Sequence, residues 1–129
     1  MRLNNKGQSL VLFIVIIPII IGIMVMVIDI GNVIYEKQEL DNINKIVLEE
    51  GLDNINEVSV VDDMKELAFL NKSDINLEIK FIDMEFYVES TYYVKGIFSK
   101  IFDTDGYLVK SRYKGYINDN DKYVLKEIK

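Results

Sequence analysis

Apolar and polar positions divide the chain into three stretches with different periods. The first, from Leu10 to Ile28, is apolar at every position except Pro18 and Gly22; Lys6-Gly7-Gln8-Ser9 precedes it and Asp29-Ile30-Gly31 follows. About 20 apolar residues let a helix cross the hydrocarbon core of a bilayer, so the run predicts a transmembrane helix over 8–29. Its many β-branched residues do not oppose this, because a single span in lipid satisfies its backbone only as a helix. The run is long for the apolar core of a secretory signal and no small-residue cleavage site follows it, so the segment is expected to stay attached as an anchor. Pro18 removes a helix hydrogen bond and is expected as a kink of the kind transmembrane helices tolerate.

In the second stretch Ile30, Val33, Ile34, Leu40, Ile43, Ile46 and Val47 recur at spacings of three, four and seven, while Glu36, Lys37, Gln38, Glu39, Asp41, Asn42 and Asn44 lie between them. That stripe predicts that the helix continues over 30–51, with Gly51 as its stop. A helix from Leu10 to Glu50 would be roughly 60 Å long at about 1.5 Å per residue. After a polar connection, Ser59 and Asp62 are spaced as a capping box. Val60, Val61, Met64, Leu67 and Ala68 then predict a short helix ending near Asn71.

From Ile75 the period becomes two. Leu77, Ile79 and Phe81 alternate with Glu78 and Lys80, and Phe86, Val88, Ser90, Tyr92 and Val94 alternate with Glu85, Tyr87, Glu89, Thr91, Tyr93 and Lys95, which predicts two half-buried strands. Gly96 to Phe102 is expected as a turn or a bulged continuation, and Asp105-Gly106 is a hairpin signal. Tyr107, Val109, Ser111 and Tyr113 form a further inward-facing set opposite Lys110, Arg112 and Lys114. The predicted fold is α+β, with a long N-terminal membrane-spanning helix packed on the dry face of a small antiparallel sheet and residues 52–129 forming a small domain.

Charge adds a direction. The net charge is −6, yet every Asp and Glu lies at or beyond Asp29, leaving Arg2, Lys6 and the α-amino group to make the start basic. Positive charge beside a span stays inside, so the N-terminus is expected in the cytoplasm and the domain outside it. Membrane lipid is then an expected partner, and nucleic acid, which an acidic domain repels, is not. With no Cys and no His, disulfides, thiolate zinc sites and Ser-His-Asp or Cys-His catalysis are excluded.

The residues Gly7-Gln8-Ser9-Leu10-Val11-Leu12-Phe13, then Pro18, then Asp29-Ile30-Gly31 resemble the N-terminus of TadE/TadG-like pseudopilins of the tight-adherence (Tad/Flp) pilus system. The resemblance covers about the first 50 residues. It implies a pilin-like fold, a basic leader over 1–7, and cleavage by a prepilin peptidase between Gly7 and Gln8. It also implies lateral assembly with other pilin-like subunits or pilus assembly proteins through the apolar helix, with Leu12, Phe13, Pro18, Asp29 and Gly31 as its marked positions. Leu12 stands where the family usually has Glu, whose carboxylate is thought to pair with a neighbour's new N-terminal amine. Tip pseudopilins of related systems lack it as well, which leaves a minor or initiating role open.

Elsewhere candidate chemistry is thin. Asp103-Thr104-Asp105-Gly106 has Ile101 where a calcium loop needs its first ligand, so a turn is expected. Asn118-Asp119-Asn120-Asp121 is expected as a solvated loop. Glu49/Glu50 and Asp62/Asp63 point about 100° apart on a helix and form no acid/base dyad. Tyr92, Tyr93, Tyr107, Tyr113 and Tyr116 fit core packing on strands better than an exposed patch that meets another subunit. No catalytic, cofactor-binding or metal-binding residue is expected, and the leading expectation is a structural subunit rather than an enzyme. The alternative is a single-pass membrane protein with an unprocessed N-terminus and an extracytoplasmic α+β module that binds a partner.

Overall fold

The computed structural model of the chain describes residues 5–126. Residues 1–4 of the expected leader, Arg2 among them, and residues 127–129 lie outside that range. Helix α1, Asn5–Asp53, has 49 residues. At about 1.5 Å per residue it is roughly 70 Å long. Helix α2 is Val60–Asn71. Strands β1 (Asn76–Ile82), β2 (Glu85–Val94), β3 (Tyr107–Asn118) and β4 (Asp121–Lys126) form one sheet in the order β1-β2-β3-β4. All its pairings are antiparallel. A short helix α3, Ile97–Phe102, joins β2 to β3. The predicted α+β fold, with a long apolar N-terminal helix over a small antiparallel sheet, is the fold observed.

The C-terminal half of α1 covers the sheet. Leu40, Ile43, Val47, Leu48 and Leu52 pack on Phe86, Val88, Val94, Val109 and Tyr113, and α2 adds Val60, Met64 and Ala68. Period two in β2 and β3 appears as alternating burial along both strands. The α1 stripe is narrower than its spacing predicts: Ile30, Ile34 and Ile46 stay exposed. Asn44, expected on the wet side, is buried and its Nδ2 donates to the Ser111 carbonyl at 3.1 Å. The tyrosines divide. Tyr113 is buried and Tyr92 half-buried, whereas Tyr93 and Tyr107 are exposed and Tyr116 stacks on Tyr123.

Three local expectations are corrected. Gly51 does not stop α1, which runs on to Asp53; the residue lies buried against α2, with Met64 Sδ 2.5 Å from where a Cβ would sit. Here glycine gives close helix packing, not termination. The capping box does not form, since Ser59 makes no side-chain bond to a helix amide and its Oγ instead meets Asp63 Oδ2 at 3.2 Å. Asp62 and Asp63 still place acid in the first turn, where the helix dipole favours it. The expected turn or bulge at 96–102 is α3, closed by Asp103 in the left-handed region. Asp105-Gly106 therefore ends a longer connection; Gly106 has φ +99°, and a Cβ there would collide with the Val94 carbonyl oxygen.

Residues 118–121 are exposed, as expected of a solvated loop. Asp119 and Asn120 have φ of 52° and 68°, which makes them the central pair of a tight hairpin leading into β4. Asp83 and Met84, at 52° and 64°, turn β1 into β2 in the same way.

Candidate functional site: the apolar half of the long helix

Through residues 10–28 helix α1 touches almost nothing in its own chain. Leucine, valine, isoleucine, methionine and Phe13 side chains are exposed on every side, and none of the most apolar window is buried. This is the single helix among the described residues that is long and apolar enough to cross a membrane. In water so large an apolar surface marks a contact with lipid or protein. The helix continues through Pro18, whose ring nitrogen has no proton to donate to the preceding turn.

The positions marked by the sequence are strung along this helix and are not gathered into one place. Gly7 and Gln8 lie in its first turns, because α1 already begins at Asn5. Leu12 and Phe13 are exposed, and around Gly31 a Cβ would meet nothing within 4 Å. Asp29 behaves differently. It is only 2% exposed, and its carboxylate accepts bonds from the Ile97 amide at 2.8 Å and the Phe98 amide at 3.0 Å. One side chain at the end of the apolar run thus caps α3, whose first amides have no partner within so short a helix. Gly96 makes the approach possible, since a Cβ there would run into the Asp29 carboxylate.

A second joint lies further along. Lys72, just past α2, pairs with Glu36 at 3.0 Å and Glu39 at 3.6 Å on α1 and sits 4.1 Å from the Tyr92 ring centroid. Burial pulls the Lys72 ammonium down, but its hydrogen bond to Glu36 and the charges of Glu36 and Glu39 outweigh that and hold its pKa above the ordinary lysine value. Sequence reasoning missed this clamp because its members are spread over three elements.

The outer face of the sheet is charged and internally matched. Arg112 Nε donates to Glu89 at 2.7 Å, Lys110 stands 3.6 Å from the same carboxylate, and Lys114 stands 3.5 Å from Glu85. The Tyr87 hydroxyl donates to Glu85 at 2.6 Å. The Arg112 hydrogen bond holds Glu89 below the usual carboxylate range, and the Tyr87 bond does the same for Glu85. Such groups stay ionised at neutral pH, which suits pairing and not proton transfer. The open groove along Glu78, Lys80, Tyr87, Glu89, Arg112 and Lys114 is therefore a salt-bridged surface. Among the described residues no group of three or more His, Cys, Asp or Glu could hold a metal ion.

The chain was also compared with known proteins. No protein-family model, curated protein or solved structure matches it. The apolar half of α1 and its joint to α3 remain the features that carry a functional argument.

Proposed function

We propose that this protein is a pseudopilin-like, membrane-anchored structural subunit of a tight-adherence type pilus or a related secretion apparatus. The observation that carries the proposal is the division of one 49-residue helix into an apolar half exposed all round and a half covered by a sheet. A helix that projects from its own domain in this way can lie beside other such helices in lipid, where close packing of apolar faces drives association. In this reading the N-terminus is cytoplasmic, the α+β domain extracytoplasmic, and a prepilin peptidase cuts between Gly7 and Gln8. The protein acts by assembly and not by catalysis, with other pilin-like subunits or pilus assembly proteins as its neighbours.

Leu12 favours a second reading. It offers no carboxylate to a neighbour's amine, and an unprocessed single-pass protein whose extracytoplasmic domain binds a partner would need none. Mass spectrometry of the mature chain separates the two. A protein that begins at Gln8, and does so only with Gly7 intact and a prepilin peptidase present, is the expected result. A start at Met1 or Arg2, with the protein running as a free monomer in detergent, would overturn the pilus reading.

A further inference from the structure

We propose that α3 is an interfacial membrane helix, seated in the lipid headgroup region beside the point where α1 leaves the bilayer. The proposal rests on reading residues 10–28 as a membrane span. Within its six residues α3 exposes four large apolar side chains, among them Ile101 at 66% and Phe102 at 60%. Ile97, Phe98, Ile101 and Phe102 fall on one helical face at the spacing of a single turn, while Ser99 is buried on the opposite side. The Phe98 and Phe102 rings pack together with centroids 4.4 Å apart. Among the described residues none buries this face, and all four side chains stay exposed.

Its height is set by Asp29. The bonds from the Ile97 and Phe98 amides hold the start of α3 level with the residue that immediately follows the apolar run. On α1 the first fully buried core residue is Leu40, which at about 1.5 Å per residue is roughly 16 Å further along the helix than Asp29. Of the globular part, α3 is thus the element hydrogen-bonded to the residue that closes the apolar run. The neighbouring Tyr93, Tyr107 and Leu108 at this end of the sheet are exposed as well, as is Tyr35 on α1. Tyrosine at such a level suits the boundary between acyl chains and headgroups. An interfacial helix of this kind sinks its apolar face about 5–10 Å into that boundary. Lys95 and Lys100 are offset by Asp103 and Asp105 in the same segment, so the occupant is argued from apolar burial and not from attraction to anionic lipid.

The absence of native cysteine makes the test direct. Single-cysteine variants Val15→Cys, Val58→Cys and Ile101→Cys of the full chain carry an environment-sensitive fluorophore and are reconstituted in phosphatidylcholine vesicles containing nitroxide-labelled lipids. Val15 reports the span, and Val58, fully exposed between α1 and α2 at the far end of the domain, reports water. The expected result is deep quenching at position 15, none at 58, and quenching at 101 several-fold above that at 58 and strongest with nitroxides near the headgroup. Phe102→Cys should repeat the pattern of position 101. Quenching at 15 but not at 101 or 102 overturns the proposal and leaves the anchor intact; a blue shift at 101 without quenching also overturns it, by assigning the face to a protein neighbour. Failure to quench at 15 overturns the anchor, and the proposal with it.

Discussion

Asp29 joins the two halves of the molecule through two hydrogen bonds, and the joint can be broken from either side. Bonds to a charged acceptor contribute roughly 1.5–3 kcal/mol each, so losing both in Asp29→Ala should weaken the docking of α3 by about 3–6 kcal/mol. Hydrogen exchange of the full chain in detergent should show the Ile97 and Phe98 amides losing protection while the strands keep theirs. Gly96→Ala should produce the same local loss from the opposite element, because the new Cβ occupies the space of the Asp29 carboxylate. Gly31→Ala serves as the contrast. Nothing lies within 4 Å of its Cβ position, and alanine in place of helical glycine gains about 0.5–1 kcal/mol, so stability should hold or rise slightly. Loss of α3 protection in Gly31→Ala, or its retention in Asp29→Ala, would contradict this account.

At the level of elements, Lys72 fastens α2 to α1 and to β2. Its folded pKa is raised, so its contribution to stability is complete below the ordinary lysine value of about 10.4 and fades as pH climbs through the higher folded value. Lys72→Met should therefore cost roughly 1–2 kcal/mol at neutral pH, more than a fully exposed pair, because Glu36 is left largely covered and without its cation. Urea midpoints of the full chain measured up to strongly alkaline pH should converge for the two proteins; a constant gap across that range would show that packing and not charge is lost. The elements were unevenly legible in the sequence. The stripe from Leu40 onward and the alternation in β2 and β3 are backed by burial, and both were readable. Ile97 to Phe102 was not, since six mostly apolar residues suit a strand as well as a helix and the decisive cap, Asp29, lies 68 positions away. The edge strand β4 buries only Val124 in part, between Lys122 and Lys126, so its pattern resembles a loop. Gly51 shows the reverse case, a valid local stop signal overridden by contact with Met64. Of the candidate site, the apolar run was fully visible and Asp29 was marked, but its partner was not, because a contact between distant elements leaves no local period.

For the whole molecule, the two halves of α1 differ: one end of the helix leaves its apolar side chains exposed and the other packs into the core of a small domain. Under the proposed pilus function, what the exposed end recognises turns on Leu12. Replacing it by Glu places a carboxylate two residues inside the apolar run, near the end and not the centre of a span, where a charge is costly but tolerable if paired. If cleavage exposes the Gln8 amine, that amine stands four residues away, about 6 Å along the helix axis, within reach of the introduced carboxylate on a neighbour shifted by one turn. Leu12→Glu should then increase co-purification of the chain with itself or with pilin-like subunits from detergent. The gain should vanish in a Gly7→Val, Leu12→Glu double variant, in which the amine is no longer made at that level. Two results would remove Leu12 from the proposed account of assembly: unchanged co-purification in the processed chain, or an equal gain in the uncleaved one.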